Sequence, residues 1–376
     1  MGPYFACTWT SIAKEGREFE DVRSSFVKNK QQRCRPSSAP LLLFLFLLSP
    51  FLLALRQLAP SHSRRSLRLL SRPALRDFLS DLSTRFLSSS VLVAAVSGLL
   101  LRFEKKGFAA IVLLAQTCMV GEITRLMRDE AGDANIPLLP LQRVLWYLGA
   151  FSYFTLPLLL KIFSVPVDDQ LVPLVLSFVL CGVSLVLSVV TMSLVSPPSP
   201  SHLTYYLSQL SFSVTSFFLL VGSSSCLLST VASHGLLWGL LPLLLVSVND
   251  SAAYLFGTLL GRTPLLPRLS PRKSVEGFLL SLLLTVYLSL RFGPSLVGLS
   301  PLPSLSFGLL ASLLCPLGGA LASGLKRSRG AKTFGQAIPG HGGVLDRCDC
   351  GLVMSAAAYA LLRARPEWGT MKRGGA

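Results

Sequence analysis

The chain has 376 residues, of which 51% are hydrophobic and only 14% charged, and it carries a formal net charge of +17. A soluble domain of this size has roughly 25% charged residues, so a large water-soluble core is disfavoured. The charge reflects few acids rather than basic tracts interleaved with aromatics, which sets nucleic-acid binding aside.

In chain order, residues 1–76 form an N-terminal extension. It has a mixed-charge start, an apolar stretch at 40–55, and the acid-free segment RQLAPSHSRRSLRLLSRPALR. An apolar core before a serine- and arginine-rich stretch suits a signal plus transit peptide. It also suits an extra membrane anchor with a basic tail, and the anchor is preferred. Apolar runs of about membrane-spanning length then recur near 86–103, 107–126, 143–163, 171–195, 205–230, 235–249, 277–292 and 296–322. A last run, 351–362, is too short to cross a bilayer alone, so its helix is expected to begin in the polar segment before it. RDEAGDANIP and the proline-rich SPPSPS separate the spans. The fold class is therefore all-α, a polytopic transmembrane helical protein of about 8–10 spans. Helices fill 77–249, a catalytic membrane region occupies 250–362, and a polar tail ends the chain at 363–376.

Between residues 171 and 345 the only carboxylates are Asp250 and Glu276. Two polar segments break the apolar pattern here, 262–276 and 326–349, with two spans between them, so both emerge on one side. The first holds Arg262, Arg268, Arg272 and Lys273, and the second Lys326, Arg327, Arg329, Lys332 and Arg347. The cation bias makes that side cytosolic and places a polar catalytic pocket at that membrane face. Basic loops also suit contact with anionic lipid headgroups.

Asp346 and Asp349 stand three apart where a helix is expected to begin, so both can converge on one cation. Oxygen ligands of this kind suit Mg²⁺, which uses one or two carboxylates plus substrate phosphates. The PGHGG stretch removes side chains at Gly342 and Gly343 and lets amides approach a phosphate. Lys326, Arg327, Lys332 and Arg347 supply cations for phosphoryl oxygens. Asp250, beside Asn249 between apolar runs, is costly in a membrane and reads as functional. Cys348 and Cys350 lie near His341 with no second pair, so a zinc site is not expected. Together these residues suggest metal-assisted chemistry on phosphates at a membrane surface.

The residues from Ser323 to Asp349 resemble the signature of the phosphatidate cytidylyltransferase (CDP-diacylglycerol synthase) family, in its eukaryotic-type branch. Ser323, Lys326, Arg327, Lys332, Pro339, His341, Gly342, Gly343, Asp346, Arg347 and Asp349 fall in register. NDSAAYLFGTLLGRTPLLPRLSPRKSVEG looks like a second family block, and AQTCMVGEI and LQRVLWYLGAFSYF extend a weaker similarity back to about residue 75. One departure matters. Thr333 stands where the family has aspartate, so affinity for Mg²⁺ is expected to fall.

The resemblance implies that CTP and phosphatidate give CDP-diacylglycerol and pyrophosphate, with membrane lipid as the other partner and a homodimer left open. Asp346, Asp349 and Lys332 are then expected to be catalytic, as is His341, more as an orienter of the glycine turn than as a proton carrier. Asp250, Asp346 and Asp349 would hold the metal. Lys326, Arg327, Arg347, Arg262, Arg272, Lys273, Ser323, Asn249, Gly342 and Gly343 would contact substrate, and Glu276 would anchor the first polar loop. The expected compartment is the endoplasmic reticulum, with a plastid-type membrane as alternative. Competing readings are a CTP-dependent polyprenol or dolichol kinase, and a non-catalytic membrane protein, either a degenerate relative or a transporter.

Overall fold

The computed structural model describes residues 72–128, 133, 136, 138–165, 171–194, 200–267, 270–337 and 342–370, all within the compact unit Leu45–Ala376. Side chains are described from residue 94 onward, except at positions 200, 201, 270–272 and 370. The segment expected to be an anchor or transit peptide lies almost wholly outside these residues. The helices are α1 (Arg72–Met127), α2 (Leu139–Phe154), α3 (Leu156–Ile162), α4 (Leu171–Leu194), α5 (Pro200–His234) and α6 (Leu236–Leu260). After the strands β1 (Pro264–Leu266) and β2 (Ser270–Ser274) come α7 (Val275–Val297), α8 (Pro301–Ser328), α9 (Leu345–Ala364) and α10 (Pro366–Thr370). Among the described residues six helices are long and apolar enough to cross a membrane, or seven if α2 and α3, bent by 45° at Thr155, form one span.

Burial on α4 identifies its solvent. Pro173, Ser177, Ser184, Ser188 and Thr191 face inward, while Leu171, Val172, Phe178, Leu185, Val186 and Val189 face outward. Likewise α7 buries Ser281, Thr285 and Ser289 and exposes Leu279, Leu283 and Tyr287. Small and hydroxylic residues inside with bulky apolar ones outside would be unstable in water. In a bilayer this is the expected arrangement, because lipid offers no hydrophobic incentive to bury leucine and close packing favours small residues. The protein is thus an all-α polytopic membrane protein.

The runs 86–103 and 107–126 meet where two helical stretches of α1 join across a kink at Glu104 (φ 46°, ψ −117°). One expectation needs correction. The run 235–249 does not end at Asn249. α6 continues to Leu260, so Asp250 lies inside the helix and not just past its end. Its neighbours Ala252 and Ala253 are small, and helix α7 packs beside it. As expected, α9 begins well before residue 351, at Leu345.

Local chemistry sets the turns around the site. Ser274 caps α7 by accepting from the Gly277 N–H at 3.2 Å. Gly298, left-handed at φ 74°, ends α7. The short antiparallel β1–β2 pair, Pro264 opposite Ser274 and Leu266 opposite Ser270, folds the first polar segment back toward the bundle. α9 packs among α5, α6 and α8. Phe334 and Leu345 from the second polar segment join Met119, Ile123, Trp146, Phe217 and Ala322 in one apolar cluster. That cluster is the floor on which the loop between α8 and α9 rests.

Candidate functional site

Both polar segments reach one pocket of about 240 Å³. Asp250 comes from the inside of α6, Lys273 from β2, and Gly319, Ser323 and Lys326 from the last turns of α8. Thr333 comes from the following loop, and Asp346, Arg347, Asp349 and Cys350 from the first turns of α9. Residues 100 positions apart in the chain therefore face one void, and nearly all are ionisable or hydroxylic.

The two carboxylates of α9 differ. Asp346 Oδ1 accepts from Lys326 Nζ at 2.6 Å, and Oδ2 accepts from the Phe334 N–H at 3.0 Å and the Gly343 N–H at 3.2 Å. Lys326 also stands 5.1 Å from the centre of the Phe334 ring, in cation–π range. Asp346 and Lys326 are 10% and 14% exposed in their side chains, so this is a nearly buried, hydrogen-bonded ion pair that ties α8, the loop and α9 together. Asp349 Oδ1 accepts a local bond, from Cys350 N–H at 2.7 Å. Burial raises the Asp349 carboxyl above the ordinary carboxylate range against that bond, and the nearby Asp250 charge pushes the same way. Lys273 Nζ lies 4.0 Å from Asp250 Oδ1. Asp349 and Asp250 thus both line the pocket wall, with the Lys273 ammonium beside Asp250.

Close helix contact makes this arrangement possible. A Cβ on Gly318 would stand 3.0 Å from both the Asp349 carbonyl oxygen and Cys350 Cα. α8 therefore meets the α9 backbone at Asp349 with no side chain between them. Cys350 Sγ donates to the Cys315 carbonyl at 3.0 Å, and the Ser323 hydroxyl donates to the Gly319 carbonyl at 2.7 Å. No group of three or more His, Cys, Asp or Glu able to hold an ion is found among the described residues.

Several expected contacts lie elsewhere. Asn249 is 2% exposed, lies outside the pocket lining, and accepts from Thr285 Oγ1 at 3.2 Å, so it ties α6 to α7. Arg262 and Lys332 are exposed and do not line the pocket. Arg327, also exposed, turns back to the Ala331 carbonyl at 3.4 Å. Glu276 does anchor the first polar loop, accepting from the Arg262 and Thr263 amides at 3.0 and 3.2 Å and from the Thr263 hydroxyl at 2.7 Å. Gly342 is left-handed at φ 85° and shapes the turn before α9. The closeness that Gly343 permits serves the protein's own carboxylates, since its N–H goes to Asp346. His341 and the Arg272 side chain lie outside the described residues.

Glu122 was missed. It is 4% exposed on α1, and its two oxygens accept from the Val344 and Leu345 amides at 2.7 and 2.9 Å. A signal existed, because it is the one acid in the run 107–126, and an acid within an apolar span is functional by default.

A membrane-embedded helical bundle whose polar pocket combines paired carboxylates with lysine and arginine defines a class of integral-membrane protein suited to handling phosphates. The chain belongs to the cytidylyltransferase family, whose profile matches residues 83–364. It is 35% identical over 184 residues to phosphatidate cytidylyltransferase 3 of Arabidopsis thaliana, covering 36% of this chain and 39% of that protein. Phosphatidate cytidylyltransferases of Saccharomyces cerevisiae and Mycobacterium bovis are 35% and 36% identical over 175 and 129 residues. Those alignments cover 33% and 34% of this chain and 38% and 42% of the relatives. The chain spans about two fifths of the length of the curated relatives it matches.

Proposed function

We propose that the protein transfers the cytidylyl group of CTP to phosphatidate, releasing pyrophosphate and leaving CDP-diacylglycerol in the membrane. The observation that carries this reading is the pocket itself, where Asp250 and Asp349 face Lys273, Lys326 and Arg347 at the loop end of a lipid-facing bundle. A phosphatidate oxygen attacks the α-phosphorus of CTP, the bond to the β-phosphate bridging oxygen breaks, and the electron pair leaves with pyrophosphate. The attacking oxygen is already anionic near neutral pH, so no strong general base is required. Catalysis rests on positioning and on neutralising charge as it develops.

The oxygen-only donor set and the mutual repulsion of Asp349 and Asp250 fit a divalent cation such as Mg²⁺, held by these two carboxylates with substrate phosphates completing its shell. Bound there, Mg²⁺ would supply charge neutralisation at the phosphoryl oxygens. Asp346 is committed to Lys326, and in this reading it sets the height of the Lys326 ammonium and the entry of α9. Lys273 and Arg347 are the pocket cations assigned to phosphoryl oxygens. Thr333, facing the same void, brings no charge where the family signature that the segment resembles has aspartate, and weaker Mg²⁺ binding follows. The bias of cations toward the two polar segments supports a cytosol-facing site.

The test is transfer of label from α-³²P-CTP into chloroform-extractable lipid by membranes carrying this chain, with phosphatidate and Mg²⁺ added. Labelled lipid that disappears in Asp349→Asn supports the reading. Label that moves only from γ-³²P-CTP, or no transfer from folded protein, overturns it.

A further inference from the structure

Helix α9 cannot cap itself. The first amides of a helix have no partner inside it, and leaving them buried and unpaired is costly. The residue before the first turn is Val344, whose side chain accepts nothing. The missing acceptor comes from 222 positions earlier in the chain, where Glu122 Oε1 takes the Val344 N–H and Oε2 takes the Leu345 N–H. The preceding amide, Gly343 N–H, goes to Asp346 Oδ2. Three successive amides are divided between two carboxylates, one from each half of the protein.

The fit is close. A Cβ on Gly343 would stand 2.6 Å from Glu122 Oε2, and one on Gly335 would stand 3.1 Å from Glu122 Cγ. Glu122 therefore passes between the middle and the end of the α8–α9 loop with a glycine on either side. Its negative charge also sits at the positive end of α9, where it is favoured. Glutamine there would present an NH₂ group to a backbone N–H and keep only one acceptor, so the isosteric change is not electrostatically mild.

We infer that Glu122 is a positioning residue for the pocket, its buried carboxylate seating the 343–345 turn so that Asp346 meets Lys326 and Asp349 faces the void that Asp250 also lines. The kinetic part of this inference rests on the proposed cytidylyl transfer, and the structural part does not.

Wild type, Glu122→Gln, Glu122→Ala, Gly343→Ala and the Glu122→Ala/Gly343→Ala double variant would be compared in two assays. In the first, no substrate is present. Trypsin cleavage after Arg329 and Lys332 is timed in unsealed membranes, and the unfolding temperature of each purified protein is measured. The Glu122 variants are expected to be cleaved several-fold faster at these sites with unfolding temperatures close to wild type. In the second assay, kcat is expected to fall roughly a hundredfold, as misplacement by about 1 Å can do. The Mg²⁺ concentration for half activity should rise about tenfold, a change of about 1.4 kcal/mol, with the KM for phosphatidate unmoved. Gly343→Ala should reproduce these effects alone yet add nothing to Glu122→Ala, because its collision partner is gone. If wild type transfers no label but the Glu122 variants still open the loop, the positioning role stands and the cytidylyl reading falls. Glu122→Gln with wild-type cleavage overturns the inference, and so do losses that merely track a fallen unfolding temperature.

Discussion

In α1–α5 many of the buried polar side chains reach one another. Gln116 donates to Thr155 Oγ1 at 3.4 Å, the Thr155 and Ser225 hydroxyls share a bond of 2.9 Å, and Ser224 donates back to Gln116 Oε1 at 3.2 Å. Gln142 donates to Thr191 at 2.6 Å and accepts from the Tyr206 hydroxyl at 2.7 Å. Arg143 is held by Asp133 and Gln209. In α6–α9, by contrast, Asp250, Asp349 and Lys273 line a void. Both halves carry intramembrane polarity, but one half uses it mainly to join helices, while in the other even paired groups such as Asp250 and Lys273 face space that a substrate can fill. What separates scaffold from site is whether polar groups line open space.

The comparison can be broken most sharply at Asp349. Asp349→Asn should lower label transfer by roughly a thousandfold or more. Its unfolding temperature should stay level or rise, because a carboxylate disfavoured by burial is removed. Thermal unfolding of the same preparation checks both parts. Asp346→Asn should behave oppositely in stability, since breaking one side of a buried ion pair costs about 3–5 kcal/mol. A large fall in unfolding temperature in detergent would confirm it, and an unchanged value would place Asp346 with the open groups instead. Thr333→Asp adds a charge to the pocket wall and should reduce the Mg²⁺ needed for half activity by about tenfold, or about 1.4 kcal/mol. Titration of activity against Mg²⁺ reads that shift directly. The smallest effect belongs to the scaffold. Gln142→Leu removes bonds between α2, α4 and α5 and should cost about 0.6–1.7 kcal/mol in stability, with KM for CTP unchanged in a steady-state assay.

Much of this was legible in the residues. Apolar runs located the membrane helices because lipid selects composition so strongly, and the cation-rich segments marked the end of the bundle where the pocket lies. Asp250, Lys273, Ser323, Lys326, Asp346, Arg347 and Asp349 were all anticipated, and all line that pocket. Pairings were not legible. Lys326 and Asp346 look like separate tools for phosphate and metal, and only the path of α9 past α8 shows that they engage each other. Asn249 sits beside Asp250 in sequence, but a step of one residue turns it about 100° around the helix, toward α7. Glu122 escaped because its partners are backbone amides, which leave no trace in side-chain patterns. The break at Glu104 was legible, because a charged cluster separates two apolar runs there, and the chain keeps its helix on both sides.

Gly318 shows how poorly residue similarity predicts tolerance to inherited change in this region. Within CPLGGALASG an alanine at this position would pass unnoticed in any hydropathy profile, and alanine is a better helix former than glycine. Yet its methyl group would press on main-chain atoms of Asp349 and Cys350, which cannot rotate away. A variant that a clinician or breeder would grade as harmless would thus push α9 outward at the residue whose carboxylate faces the pocket. Conversely, bulky replacements at outward positions such as Phe178 or Leu283 would meet only lipid tails and pass silently.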